Sequence, residues 1–419
     1  MTRTLPADFW RGFFALVLSF VVAQLAAQVD LVMLVRVGQG LPGLYVLTTR
    51  MALFEFVAAM ALGATLSVAV AQAVRLGVEA RVTRQALVLT AMAGVLLGLI
   101  AFFTYPLLLS WMIEGDPELA EVGRFALFWF ILAVPFRLLN GVTAFILHAR
   151  GEGTLVVRWK LLELGARIGL LLVLLEGFQT GLWGCFFAGL VLNLCSTVWA
   201  VWWLTRHDAG VPWKPSLAWM VEVLRSTSWE GQRVLAMQLF GLFAVALFAA
   251  WGTATDRGRL DAFSAAMTLM LLAFAPLNAL LRFLSMRFAR LSAHELHGCI
   301  PILIGKCLPF ALGAAVLLGL GAQWIGRLYG QQSEWWIVYV WLLAASLPLR
   351  MIGNFLRAAR QSQGDFSLIA RVDSLGLWLI GLPTLIVGLY LGSPWLAYLY
   401  LLLPELLLVI LLLRFPVDA

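Results

Sequence analysis

The stretch VPFRLLNGVTAFILHARGEG (134–153) has a counterpart in the second half of the chain, LPLRMIGNFLRAARQSQGDF (347–366). The two stretches align Arg137 with Arg350 at an offset of 213 residues. A chain that repeats an even number of membrane spans forms two halves of the same orientation, related by an axis along the membrane normal. The repeat therefore predicts a duplicated helical membrane protein.

Composition and hydropathy place the chain in the membrane, because 62% of its residues are apolar, 12% are charged and the mean hydropathy is +0.94. Windows of roughly twenty residues give about twelve spans. The gap at 206–224 is the one gap long enough to be a linker. We predict an all-α polytopic membrane protein of about twelve transmembrane helices in two pseudo-symmetric bundles. These are an N-terminal six-helix bundle (1–205), a cytoplasmic linker (206–224) and a C-terminal six-helix bundle (225–419).

Basic residues in the connecting loops set the predicted orientation. Arginine and lysine gather in the loops that follow even-numbered spans, whereas the loop IEGDPELAE (113–121) on the other side is acidic. Positive charge marks the cytoplasmic side. We therefore expect a multi-pass protein of the bacterial inner membrane with both termini in the cytoplasm. The basic residues are scattered and form no single face, so nucleic acid is not an expected partner.

Several charged residues lie inside the predicted spans, where each is costly and needs a functional or structural reason. Asp30 interrupts the first span, and Glu55 lies in the second. Arg137 is roughly 20 Å from the cytoplasmic end of its helix, at 1.5 Å per residue. In the fifth span, Lys160, Glu163 and Arg167 share one helical face (i, i+3, i+7).

The stretches VDLVMLVRVG (29–38) and ALGATLSVAVAQAVRLG (61–77) resemble the first two helices of the multidrug and toxic compound extrusion (MATE) transporters. That family lies in a superfamily that also contains polysaccharide-lipid flippases. The resemblance implies a V-shaped pair of six-helix bundles that exports a substrate by alternating access, driven by protons or sodium ions. It also implies that Asp30 is the acid of a cation site.

The sequence departs from the family pattern at four positions. Arg167 and Leu171 stand where the family has an asparagine and an aspartate in the fifth helix, and Gln238 and Arg350 stand where the second half often has acids. A sodium cage needs several oxygen ligands, so a proton is the expected coupling ion. No bound cofactor, metal site or catalytic residue is predicted, and the chain is not expected to be an enzyme.

The predicted site residues form two groups. The ion-coupling candidates are Asp30, Glu55 and Glu163. The substrate-cavity candidates are Arg137, Asn140, Lys160, Arg167, Gln238, Arg350 and Asn354.

Each group has a structural alternative. Asp30 is either a titrating site or the partner of Arg167 or Lys160 in an ion pair that joins two helices. Arg137 and Arg350 either face the cargo or tie together helix breaks near Pro135 and Pro348. The charged face of the fifth span is either functional or neutralises itself.

Two functions fit these residues. The first is secondary active export, in which protonation of Asp30 releases amphiphilic, cationic small molecules. The alternative is a flippase for an anionic lipid-linked saccharide, whose phosphates the arginines would bind. The expected partners are a small-molecule or lipid-linked substrate and the bilayer, and the chain is expected to act as a monomer.

The orientation is testable in a chain whose native cysteines are replaced. A cysteine in place of Asp116 should react with an impermeant thiol reagent added outside the cell, whereas one in place of Gly364 should react only after the membrane is opened. Labelling of residue 116 from the cytoplasmic side alone would show that the predicted topology is wrong.

Overall fold

A computed structural model describes residues 7–38, 41–112, 117–206, 210–251 and 258–414 of the 419-residue chain. The first half contains α1 (Ala7–Val37), α2 (Leu41–Met51), α3 (Leu53–Leu76), α4 (Glu79–Met112), α5 (Pro117–Leu132), α6 (Val134–Arg150), α7 (Gly153–Leu171) and α8 (Gly181–Thr205). The second half contains α9 (Leu217–Trp251), α10 (Gly258–Phe288), α11 (Ala293–Leu320), α12 (Ala322–Leu328), α13 (Glu334–Ser362), α14 (Phe366–Leu375), α15 (Leu382–Tyr390), α16 (Pro394–Ala397) and α17 (Leu403–Arg414).

Within the described ranges, ten helical segments are long and apolar enough to cross a membrane, and the bent pair α5–α6 makes an eleventh. The fifth predicted span corresponds to α7, which is helical but carries Arg158, Lys160, Glu163 and Arg167 and so has a lower hydropathy. The predicted fold class, an all-α polytopic membrane protein, is confirmed.

Two compact units make up the chain, residues 1–227 and 228–419, and their boundary falls inside α9. This helix begins at Leu217, so the last part of the predicted linker, 206–224, is helical. The last helix-breaking residue of that stretch is Pro215, and the residues after it favour a helix. The assignment of 1–205 and 225–419 to two bundles stays a prediction.

The second and fourth predicted spans are each broken near their middle. The second divides at Ala52 between α2 and α3. The fourth divides at Ala133 between α5 and α6, with a bend of 44°. Pro135 lies in the first turn of α6, where the missing N–H of a proline costs no hydrogen bond. The repeat-related Pro348 lies inside α13, which is continuous.

Helix packing follows the same pattern in the two units. In the first unit α3 and α4 both pack on α6, and in the second unit α10 and α11 both pack on α13. Each unit also contains one π-helical segment that continues its fifth span, Leu172–Gly177 after α7 and Gly376–Gly381 after α14. The repeated packing is the structural counterpart of the sequence repeat.

The two cores differ in composition. The first unit buries mostly aliphatic side chains with a few rings, among them Tyr45 stacked on Phe186 at 5.6 Å between centroids. The second unit buries an aromatic cluster in which Phe248 stacks on Phe263 at 4.1 Å. Large apolar side chains cover much of the exposed surface, as expected for helices that contact lipid.

Candidate functional site

Asp30 is held by three helices at the core of the first unit. Its side chain on α1 is 0% exposed. Arg167 on α7 forms a two-pronged ion pair with it, with Nε donating to Oδ1 at 2.6 Å and Nη2 donating to Oδ2. Tyr45 on α2 donates its hydroxyl to Oδ2 at 2.7 Å, and Phe186 fixes the ring by stacking. Of the two alternatives for Asp30, the pairing with Arg167 is present, and it leaves the carboxylate with charge-assisted bonds on both oxygens.

Glu55 and Arg137 form a second pair where α3 packs on α6. Nε and Nη2 of Arg137 donate to the two carboxylate oxygens, each at 2.7 Å. Its remaining terminal nitrogen, Nη1, donates to the carbonyl of Phe130 at 2.9 Å, and the guanidinium lies 3.9 Å from the centroid of the Phe130 ring. That carbonyl is in the last turn of α5, where carbonyls lack partners within the helix. Arg137 thus ties the α5–α6 break together.

A polar cluster surrounds Asn140 of α6. Lys160 donates to the Asn140 amide oxygen at 2.6 Å and to Glu163 at 2.8 Å. The Asn140 amide nitrogen donates to Glu163 at 3.0 Å and to Asn193 on α8 at 2.8 Å. Lys160 and Glu163 therefore neutralise each other, while Arg167 on the same helix pairs elsewhere.

A cavity of about 420 Å³ lies beside Glu55 in the first unit. Its wall is almost wholly apolar, and Glu55 is the one charged residue among those that line it. The lining residues are Met51, Phe54, Glu55, Leu97, Ile100, Ala101, Thr104, Tyr105, Leu107, Leu108 and Val134. The cavity can accept an apolar group next to a neutralised carboxylate.

The second unit contains a network that the sequence analysis missed. One part is centred on Glu230 of α9, whose side chain is 0% exposed. Arg233 on the same helix donates to it at 2.6 and 3.0 Å, Arg282 of α10 at 2.7 Å and Gln361 of α13 at 3.3 Å. Glu230 therefore accepts hydrogen bonds from three side chains on three helices.

The other part of this network is centred on Arg357 of α13. Its guanidinium donates to Asp373 of α14 at 2.7 and 3.2 Å and to Glu405 of α17 at 2.6 and 2.9 Å. Arg233 also reaches Asp373, at 3.4 Å, and so joins the two parts. We call these residues, with Arg350, the C-terminal charge network.

The three predicted residues of the second unit have different surroundings. Asn354 donates to the carbonyl of Leu277 at 2.8 Å and accepts from Arg357 at 3.3 Å. Arg350 lies over the ring of Phe274 at 3.9 Å, with Nε 3.7 Å from Glu405. Gln238 is half-buried on α9, and its side chain has no hydrogen-bond partner in the described part of the chain. The structure places Arg350 and Asn354 in or beside the charge network.

The sequence analysis considered Gln238 and Arg350, which stand where the family often has acids. It did not consider the acids that the second half contains at other positions. Glu230 lies on the same helix as Gln238, and its i, i+3 spacing to Arg233 is visible in the sequence. Asp373 and Glu405 each stand alone among apolar residues, as Asp30 does. These isolated acids were the available signal.

No protein-family model and no curated protein matches the chain. Among solved structures, a crystal structure of MATE in the bent conformation has a TM-score of 0.88 at 15% identity, covering 97% of this chain and 94% of that one. The Vibrio cholerae MATE transporter VcmN in the bent form has a TM-score of 0.85 at 14% identity, covering 97% and 95%.

A third similar structure is a MOP superfamily transporter from Pyrococcus furiosus. Its TM-score is 0.83 at 15% identity, covering 97% of this chain and 94% of that one, and it is described as having a binding pocket of reversed polarity that suggests a different function. The chain is thus a polytopic helical protein built as a duplicated bundle. More specifically, it has the fold of the MATE transporters, as the sequence resemblance predicted.

The pair between Glu55 and Arg137 should contribute to stability. Arg137→Gln leaves a buried carboxylate without its partner and should cost about 3 kcal/mol of unfolding free energy. The double variant Glu55→Gln/Arg137→Gln should recover part of this loss, because two amides hydrogen-bond without charge. Thermal unfolding of the four chains in detergent measures the coupling. Additive effects of the two substitutions would contradict the pairing.

A pair of glycines tests the C-terminal charge network. A Cβ on Gly353 would collide with the Glu405 carboxylate and lie 3.0 Å from Nη1 of Arg357, whereas a Cβ on Gly141 of α6 would meet nothing within 4 Å. Gly353→Ala should therefore destabilise the protein by about 2 kcal/mol, a typical cost of overpacking. Gly141→Ala should be neutral or stabilise by up to about 1 kcal/mol. Equal melting temperatures of the two variants would argue against the network.

Proposed function

We propose that this chain is a secondary active exporter that expels amphiphilic small molecules by alternating access, driven by a proton gradient. The fold that it shares with MATE transporter structures supports transport. The observation that carries the proposal is the fully buried Asp30 carboxylate, bonded to a cation on another helix. We place the protein in a bacterial inner membrane, as a monomer with both termini in the cytoplasm.

A proton and Arg167 compete for the same two oxygen atoms of Asp30. A protonated carboxyl group cannot keep both charge-assisted bonds to the guanidinium. Proton uptake would therefore leave Arg167 with an uncompensated charge in a poorly solvated place, which is expensive. Because the contacts of Asp30 join α1, α2 and α7, relief of that cost requires these helices to move or Arg167 to find another partner. This is how protonation is converted into conformational change.

A proton fits the surroundings of Asp30 better than a sodium ion does. A metal cation needs several oxygen ligands in one shell. Among the described residues, the groups that bond to the Asp30 side chain are the Tyr45 hydroxyl, the positively charged Arg167 and the Cys185 thiol. Electrostatic repulsion from the guanidinium disfavours a second cation, whereas a proton needs only one oxygen.

Glu55 and Glu163 are secondary candidates for coupling. Each is paired with one base, as Asp30 is, but neither side chain is as fully buried as that of Asp30. Glu55 lines the 420 Å³ cavity, so a ligand in that cavity would lie next to the pair that it forms with Arg137. We therefore assign the proton to Asp30 and propose Glu55 as a residue through which cargo affects the first unit.

Among the substrate-cavity candidates, the hydrogen bonds separate two groups. Arg137, Asn140, Lys160 and Arg167 bond to neighbouring side chains of the first unit. Gln238 and Arg350 have no such bonds in the parts of the chain that are described. We propose that the first group keeps the helices in place and that the second contacts cargo.

The flippase alternative is not favoured. Binding of a lipid-linked diphosphate would use the forked N–H groups of several arginines. Three arginines were considered for that role. Two of them, Arg137 and Arg167, already donate these N–H groups to Glu55 and Asp30. One fold does not determine one cargo, so the cargo must be argued from side chains. The Pyrococcus furiosus structure is described as having a reversed pocket polarity that suggests a different function.

The proposal is tested with purified protein in liposomes loaded with fluorescent amphiphiles of positive, zero and negative charge. An imposed pH gradient should drive transport of at least one amphiphile, and a sodium gradient at equal pH should not. Asp30→Asn should abolish this transport while the protein elutes as a folded species. The matched control is Glu295→Gln, an exposed first-turn residue of α11, which should transport normally.

Two results would reject this function. One is transport that follows the sodium gradient alone, and the other is pH-driven transport that persists unchanged in Asp30→Asn. The second result would leave Asp30 and Arg167 as a purely structural pair.

A further inference from the structure

Arg137 and Arg350 occupy equivalent positions in the two repeats, but their environments differ. Arg137 donates three hydrogen bonds, two to Glu55 and one to the Phe130 carbonyl. Arg350 makes no hydrogen bond to any described residue, and its Nε is buried without a partner. An arginine has five N–H donors, so Arg350 is a guanidinium whose donors are unused.

The sequence explains why Arg350 lacks the partner that Arg137 has. With repeat offsets of 213 to 215 residues, the counterpart of Glu55 falls within residues 268–270, which read Thr-Leu-Met and contain no acid. The nearest carboxylate is that of Glu405, 3.7 Å from Nε. Both oxygens of Glu405 already accept from Arg357, at 2.6 and 2.9 Å. Glu405 therefore shares its negative charge between two guanidinium groups, and only Arg357 forms hydrogen bonds with it.

Charge counting leads to the same conclusion. Among the described residues, the buried ion pairs of the first unit match one base to each acid, namely Asp30 with Arg167, Glu55 with Arg137 and Glu163 with Lys160. The C-terminal charge network, counted over the same described ranges, has three carboxylates and four guanidinium groups, namely Glu230, Asp373 and Glu405 with Arg233, Arg282, Arg350 and Arg357. One positive charge is left without a matching negative charge.

Arg350 is accessible as well as unsatisfied. It lies near the middle of α13, roughly 18 Å from the C-terminal end of that helix at 1.5 Å per residue. Its side chain is 19% exposed. A partly exposed arginine side chain at that depth must face a polar ligand or water, because hydrocarbon would make it prohibitively costly. The ring of Phe274 covers one face of the guanidinium, which leaves its edges for hydrogen bonds.

A buried tyrosine hydroxyl also lies within electrostatic range of Arg350. The hydroxyl of Tyr400 is buried and has no hydrogen-bond partner of normal geometry in the described chain. The hydroxyls of Tyr400 and Tyr339 interact with each other, and both tyrosines are within electrostatic range of the Arg350 charge. Tyr339 also donates its hydroxyl to the sulfur of Met270 at 3.2 Å. A guanidinium, a hydroxyl without a hydrogen bond of normal geometry and surrounding aromatic rings suit an anionic head group attached to an apolar body.

We infer that Arg350, assisted by the Tyr400 hydroxyl, binds the anionic group of an amphiphilic substrate, a carboxylate or a sulfonate. This inference rests on the proposed export function and specifies its cargo. The anion supplies the negative charge that the C-terminal charge network lacks and accepts the unused N–H donors. The cargo is then an organic acid rather than the cation expected from the family resemblance.

The test measures ligand-dependent thermal unfolding of the full-length protein in an uncharged detergent. Four probes share a six-carbon chain and differ in charge, namely hexanoate, hexane sulfonate, hexanol and hexylamine. Acetate is the fifth probe and supplies the carboxylate without the long chain. Stabilisation that saturates with probe concentration gives an apparent affinity. Hexanoate and hexane sulfonate should stabilise the protein, and hexanol, hexylamine and acetate should have little effect.

Three variants separate binding from folding. Arg350→Gln removes the unmatched charge, so it should melt at or above the wild-type temperature but bind hexanoate about tenfold more weakly, as expected for the loss of a charge-assisted bond. Tyr400→Phe removes a hydroxyl that makes no hydrogen bond of normal geometry, so it should melt close to the wild-type temperature and bind hexanoate several-fold more weakly. Arg137→Gln is the control, which should melt lower and keep the hexanoate response.

The inference is overturned by any of three outcomes, namely no stabilisation by either anionic probe, equal stabilisation by hexylamine, or an unchanged hexanoate affinity in both Arg350→Gln and Tyr400→Phe. Acetate binding as tight as that of hexanoate would overturn the assignment to an amphiphile. No gradient is present in these measurements. If the protein shows no proton-driven transport, the proposed function is rejected and the inference about anion binding is not affected. If it exports cations only, the inference is rejected and the proposed function stands.

Discussion

An ionised side chain inside a bilayer must find a counter-charge, and this constraint governs the arrangement of the helices. Asp30 requires α1 to lie beside α7, and Glu55 requires α3 to lie beside α6, because their partners are on those helices. In the second unit, Arg357 requires α13, α14 and α17 to meet. Apolar packing alone is weakly selective among helices that are all hydrophobic in lipid. The ion pairs supply the selectivity.

The two units share their helix packing but not their charge chemistry. In each, the fourth span is the centre on which the second and third spans pack. In the first unit the polar groups form separate neutral clusters, whereas in the second they join into one network with an aromatic core beside it. A duplicated fold can keep its packing while its polar residues diverge, since helix contacts depend on shape and side-chain volume. This divergence agrees with the tasks that we propose for the two units, proton uptake in the first and cargo recognition in the second.

Much of the fold was predictable from the sequence. The spans and the repeat follow from hydropathy and spacing, and isolated charges in apolar runs pointed to Asp30 and Arg137 before any contact was known. The partners were harder to predict. Glu230, Arg282 and Gln361 come from three different helices, and only the rotation of each helix about its axis decides whether they meet. That rotation is a tertiary property, so sequence spacing within one helix did not reveal it. The break at Ala52 was missed, whereas the break at Ala133 lies beside Pro135, where a helix break was one of the two expectations for Arg137.

The π-helical segments after α7 and α14 have a consequence for how those spans are interpreted. A π turn accommodates an extra residue, so the residues that follow it are rotated by about 100° relative to a continuous α-helix. A helical wheel drawn through Arg167 and carried past Leu172 would therefore assign the wrong faces to the rest of the span. The same error arises beyond Gly376, in the helix that carries Asp373. A calculation of amphipathicity should include this rotation at both segments. Results of scanning mutagenesis should be drawn on one helical wheel before the segment and on a second wheel after it.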